Sequence, residues 1–210
     1  MDKIRTYKMT DATGFAPNHD GEILTLATCK PGIREKAEVG KWVAGFTSKR
    51  LNNDEVGQER LVYLMKVTEK MTFDEYWEKH PQKRPEFSKL GDNIYHKNEK
   101  GKYIQEPNNN HSKRDIDQDI LSKQVLISEN YKYFGKDKPL DISNFKEHIK
   151  IPSTVSRYGC FSQDEKKVTE FTNFVMAQEA KSDINYSACA RESSNLDPNP
   201  KKKSSSCSKK

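Results

Sequence analysis

The chain has 210 residues, of which 33% are hydrophobic and 32% charged, a balance that supplies small cores and excludes a large multilayer enzyme. Its net charge of +6 is concentrated at one end: residues 191–210 hold six Lys or Arg against two acids, leaving 31 cations against 29 acids elsewhere. Net charge therefore implies no broad phosphate-binding face, and any anion site in the body has to be local.

The first element expected is a strand over Ile4–Met9, followed by a turn at Thr13–Asn18 punctuated by Gly14 and Pro17. "EILTLATCK" at Glu22–Lys30 reads as a strand buried on at least one face. Pro31 stops it, a short helical turn follows, and Gly40 leads into a strand over Lys41–Phe46. Glu59–Met71 reads as a longer strand that pairs with it, the polar stretch between them being the loop. At Thr72–His80 the period changes, with Phe73, Tyr76 and Trp77 on one helical face, Thr72 and Glu75 spaced as a capping box, and Pro81 as the stop.

From Gln82 to Lys123 the chain is polar, interrupted by one hairpin signal at Asn93–Gln105. So long an irregular stretch reads as a binding surface or a mobile segment. Gln124–Gly135 adds a strand and aromatic residues, and Ser162–Lys181 is the best helix, with Ser162 and Glu165 as its capping box and Val168, Phe171, Phe174 and Val175 as its stripe. A single α+β domain over residues 1–182 and a disordered basic tail over 183–210 are the expectation.

Cys29, Cys160, Cys189 and Cys207 form no CxxC pair and share no zinc spacing with the five histidines, so no metal and no cofactor is expected. The absence of a signal-like apolar N-terminus and of any run near 18 apolar residues places the chain in a reducing cytoplasm, away from membranes. P-loop, GxGxxG and GxSxG motifs are missing.

Candidate chemistry gathers where the Glu22–Lys30 strand ends. Lys30 and Arg34 around Gly32 make a cationic rim for a phosphate or carboxylate, with a solvated surface turn as the plainer reading. Phe15, Trp42, Phe46 and Tyr95 are rings that could stack on a base, although most aromatics simply pack cores. His96 with Asp92 in "GDNIYH" is the candidate acid or base couple. Cys29 could act as a nucleophile with His96 or His19, yet its place in an apolar strand argues for a buried, inert thiol.

The blocks "TGFAPN", "LATCKPGIR", "VGKWVAGF", "LVYLMKVTEKMTFDEYW", "GDNIYH" and "VLISENYKYFG" resemble, in order, the nucleotide modification associated domain two family of phage and bacterial genomes, over residues 4–178. Lys41, where that family commonly has an acid, and Phe46, where a small residue is usual, depart from its pattern. The block at 39–46 with its strand order is more remotely similar to PUA-like domains of the EVE and ASCH kind, which implies a small mixed or antiparallel sheet curled into a pseudo-barrel. The resemblance implies a module that binds a modified base or nucleotide, with Phe15, Asn18, Thr28, Cys29, Lys30, Arg34, Trp42, Phe46 and Tyr95 around it. The alternatives are an enzyme acting on such a nucleotide by hydrolysis or transfer, and a phage or bacterial conflict protein that sequesters a nucleotide signal. The expected partner is a nucleotide or modified nucleic acid.

Overall fold

A computed structural model describes residues 3–155, 158–162 and 164–185. The first half runs β1 (Lys3–Lys8), β2 (Leu24–Leu26), α1 (Pro31–Lys36), β3 (Trp42–Phe46), α2 (Lys49–Asn52), β4 (Leu61–Lys66), β5 (Glu69–Thr72) and α3 (Phe73–Lys79). The second half runs β6 (Tyr95–Lys97), β7 (Tyr103–Gln105), α4 (Ile116–Asp119), β8 (Gln124–Ser128), β9 (Asn130–Tyr133), β10 (Tyr158–Ser162), α5 (Glu165–Met176) and β11 (Ser182–Asn185).

A six-stranded sheet has the order β10-β1-β3-β4-β9-β11, parallel only between β1 and β3. A three-stranded antiparallel sheet has the order β2-β8-β5, and β6 and β7 form a hairpin. The sequence-predicted strand Glu59–Met71 divides at Val67–Thr68, and Gln124–Gly135 divides at Glu129, because both ribbons turn out of the large sheet into the small one. The corner is closed by side chains: Ser128 Oγ donates to Lys66 O at 2.6 Å, and the Glu129 amide donates to Thr68 Oγ1 at 3.1 Å. The result is mixed α+β with several sheets; they do not close into a barrel among the described residues.

Side-chain alternation sorts the apolar residues into three cores. Tyr7, Val43, Tyr63, Met65 and Tyr131 of the large sheet face Leu24, Leu26 and Leu126 of the small one. The other face of β8, Val125 and Ile127, packs with Phe73, Tyr76 and Tyr95. Trp42, Ala44 and Phe46 point the opposite way on β3, onto Val168, Phe171 and Val175 of α5.

Local signals account for the helices. The Thr72–Glu75 capping box forms at α3 in both directions. At α5 the cap is Asp164, whose carboxylate accepts from the Lys166 amide at 3.0 Å, while Ser162 closes β10 instead. β11 (Ser182–Asn185) begins at the domain boundary expected at 182. The rest of the tail expected to be disordered, residues 186–210, lies outside the described residues.

Candidate active site

β2 ends at Leu26, four residues short of the strand expected to reach Lys30. The reason is backbone conformation: Cys29 and Lys30 are left-handed, with φ 56° and 41°, and Pro31 then opens α1 with its fixed φ. A non-glycine residue in that region costs on the order of 1–3 kcal/mol and persists only where its surroundings over-determine it. Here they do. The Cys29 amide donates to Asp119 Oδ1 at 2.7 Å, and its carbonyl accepts from Arg34 Nε at 2.8 Å.

The same turn takes the Cys29 thiol out of the sheet, so it is not the buried strand cysteine expected. Cys29 is a free thiol, half-buried, with Sγ 3.2 Å from Nε2 of His111. His111 Nδ1 lies 2.9 Å from Asp119 Oδ2, a separation that closes as an ion pair more than as a straight hydrogen bond. Tyr95 Oη donates to the same Oδ2 at 2.8 Å, and Phe15 packs on the imidazole with ring centroids 5.0 Å apart. Thiol, imidazole and carboxylate thus form a relay, each ring nitrogen serving one partner.

The relay sets the charge of the histidine. Burial alone would push His111 down, but its bonds to Asp119 and to Cys29 outweigh that and raise it to about 10. The shift favours the imidazolium form, with the Asp119 carboxylate as its counter-charge. Burial first, and Asp119 next, push the Tyr95 phenol up, so it stays a donor to the carboxylate.

Arg34 holds this arrangement from behind. It is fully buried; beyond the Cys29 carbonyl, its guanidinium donates to Ser122 O and Gln124 O at 2.7 Å each, and to Asp119 O. Burial pulls its pKa to about 10, which leaves it charged. Five N–H donors in a rigid fork suit a site of converging carbonyls, and Lys could not replace them. Arg34 therefore ties the strand-end turn to α4 and does not line a ligand rim.

In front of Sγ lies a cavity of about 240 Å³ whose wall includes Tyr7, Phe15, Lys30, Asn109, Asn110 and His111. Lys30 reaches across it, with Nζ 3.1 Å from Val155 O and 5.1 Å from the Tyr7 ring centroid, and burial lowers its pKa. Tyr7 Oη pairs with Tyr63 Oη at 2.9 Å.

Of the residues singled out from sequence, the fold brings Phe15, Cys29 and Lys30 to this cavity. Thr28 is buried beside it with its hydroxyl unpartnered. Asn18 is buried elsewhere, accepting from Lys83 Nζ at 2.7 Å. Trp42 and Phe46 face α5, across the large sheet from Tyr7, so no ring-walled hollow joins Trp42 to Arg34. Tyr95 is buried and serves Asp119 rather than a base. Asp92 is sealed under Tyr76 Oη at 2.7 Å and Thr25 Oγ1 at 2.7 Å, and burial raises its pKa. His96 stacks on Trp77 with centroids 4.0 Å apart and meets Glu106 at 2.6 Å, so Asp92 and His96 form no couple. His19 stacks on Tyr133 with centroids 4.1 Å apart, away from Cys29.

His111 and Asp119 were missed by sequence reading. The signal that was there is indirect: both fall in the long polar stretch Gln82–Lys123, which reads as a binding surface.

The three relay residues are also the cluster that could hold a metal, their ligand atoms lying within 4.8 Å of one another. A tetrahedral ion needs ligands about 2.0–2.3 Å away on converging bonds. Asp119 and Cys29 instead occupy opposite nitrogens of one imidazole, so the set fits a proton relay better than an ion.

A family model described as nucleotide modification associated domain 2 matches residues 1–191, nearly the whole chain. The chain belongs to that family. No curated protein and no solved structure matches it. No helix among the described residues is long and apolar enough to cross a membrane.

Proposed function

We propose that the chain is a thiol-dependent hydrolase or transferase acting on a modified nucleotide or nucleic acid, with Cys29 as nucleophile. The observation that carries this is the alignment of the three groups, Sγ 3.2 Å from His111 Nε2 and His111 Nδ1 in ion-pair contact with Asp119 Oδ2 at 2.9 Å. Its family membership supports the substrate class.

In the proposed reaction the Cys29 sulfur attacks an electrophilic carbonyl carbon held in the cavity. Sγ bonds to that carbon, the bond to the leaving group breaks, and the leaving group takes the proton from His111 Nε2. Water, or an acceptor group, then gives a proton to His111 Nε2, attacks the thioester carbon and releases Cys29. Asp119 does not transfer a proton; it orients the ring and stabilises its charge. The Cys29 amide is already spent on Asp119 Oδ1. Charge developing on the carbonyl oxygen is therefore met by Lys30 and Asn110, whose side chains share the cavity wall.

A module that only binds a modified base would need the cavity but not the relay, and that difference decides the test. Iodoacetamide alkylation of the full-length protein, followed by peptide mass spectrometry, should label Cys29 rapidly at neutral pH and much more slowly after His111→Ala. Incubation with modified nucleotides and oligonucleotides should yield a mass-shifted Cys29 adduct or a product, both lost in Cys29→Ser. Slow labelling that ignores His111→Ala would overturn the proposal.

A further inference from the structure

The 106–119 segment that carries His111 and Asp119 has a second face, and the residues there line a different cleft. Together with the β6–β7 hairpin they enclose a groove of about 790 Å³, and no residue lines both this groove and the Cys29 cavity. The size lies in the ordinary range for ligand sites. Gln105 links the two sites, lining the groove while its Nε2 donates to His111 O at 3.2 Å.

The groove has a charge the body of the chain lacks. Lys102, Lys113 and Lys123 line it against a single acid, Asp117. All three are exposed, and among the described residues none makes an ion pair. Their neighbour Lys97 shows the contrast, being held by Asp74 at 2.5 Å. The floor is apolar and half-buried, from Ile104, Ile116 and Ile120, with Tyr103 beside Lys123 Nζ at 5.7 Å from its ring centroid.

We infer that this groove binds a single-stranded polynucleotide beside the segment that carries His111, so that the substrate is a polymer rather than a free nucleotide. Unpaired cations spaced around an apolar floor match a strand whose phosphates meet lysines while its bases cover Ile and Tyr side chains. An acidic peptide would satisfy the cations but has no flat apolar faces for the floor. The inference rests on the proposal that the thiol site acts on nucleotides, since that is what favours a nucleic acid over another polyanion.

The test is fluorescence anisotropy of the full chain with a labelled single strand of about 12 nucleotides, inside the ~4–16 nucleotide span of such grooves. The variant carries Lys102→Glu, Lys113→Glu and Lys123→Glu; a control carries Lys36→Glu, Lys49→Glu and Lys89→Glu, all exposed elsewhere. Affinity should fall about tenfold or more in the groove variant, with the salt slope reduced by about 2, at ~0.7 per phosphate contact. Equal losses in the two triple variants, or no loss in either, would overturn the groove. So would tighter competition by polyglutamate than by the unlabelled strand. Iodoacetamide labelling of Cys29 reads the thiol site separately: normal labelling with lost strand binding in the groove variant supports the inference, and strand binding that survives the groove variant rejects it whatever the thiol does.

Discussion

Replacing Asp119 by Asn should uncouple the histidine from its charge while leaving the turn nearly intact. The amide oxygen can still accept from the Cys29 N–H, but the negative charge beside His111 Nδ1 is gone. In the native protein His111 is raised to about 10 against burial. From an unfolded value of about 6.5, and at 1.36 kcal/mol per unit, the native couple is worth at most about 5 kcal/mol. The sign follows from the direction of the shift. A histidine raised in the folded state contributes stability that is fully present below about pH 6.5 and is lost as pH climbs through about 10. Urea midpoints of the native protein should therefore fall between pH 6.5 and 10, and the Asp119→Asn midpoint should be lower at pH 6 with a much flatter profile. In the variant, burial acts with less opposition, so the ring should be neutral at pH 7. Nitrogen-15 NMR of the histidine side chains reads both states directly. A His111 resonance that titrates near 6.5 in the native protein, or an unchanged one in Asp119→Asn, would refute the reasoning.

Other substitutions separate the roles. Arg34→Met should cost about 3–5 kcal/mol in urea denaturation, because it strands the buried carbonyls of Cys29, Ser122, Gln124 and Asp119; Arg34→Lys should not restore it, and a Lys variant as stable as the native protein would show that the fork is not needed. Gly45→Ala places a Cβ 2.4 Å from the Tyr63 ring and 2.7 Å from the Met9 sulfur, so overpacking of about 1–3 kcal/mol is expected; an unchanged thermal midpoint would contradict it. His96→Ala should leave the rate of Cys29 alkylation unchanged, since His96 is engaged with Trp77 and Glu106; a slowed rate would return it to the site. Thr72→Ala removes the hydroxyl arm of the α3 capping box, leaving the Glu75 carboxylate on the amide of residue 72, and should cost about 1 kcal/mol, measured by the urea midpoint.

Several signals carried by neighbours in the chain determined the outcome, although the Ser162–Glu165 spacing did not, since Asp164 caps α5. Thr72 and Glu75 are three residues apart and meet across one helical turn, so α3 begins where they predict. The α5 stripe of Val168, Phe171 and Val175 follows from 3.6-residue periodicity, and α5 buries it. The strand pairing of β3 with β4 follows from two apolar runs and a polar loop. Even the importance of the Cys29–Arg34 turn could be read from Pro, Gly and two cations crowded into six residues.

Only the tertiary structure decided what those residues do. His111 lies 82 positions from Cys29, and Asp119 lies 90. No local pattern links residues that far apart, because their proximity is created by packing α4 against the end of β2. Arg34 looks like a surface cation until four carbonyls, one at Cys29 and three within residues 119–124, are seen to converge on it; burial, not residue type, turns it from a ligand-binding group into a clamp. Trp42 and Tyr95 likewise carry rings fit for stacking, yet the face of the sheet on which each falls gives one to the α5 core and the other to Asp119. Chain-local propensities and periodicities determine elements, whereas a site assembled across 90 residues depends on long-range contacts that a linear pattern does not encode in any one place.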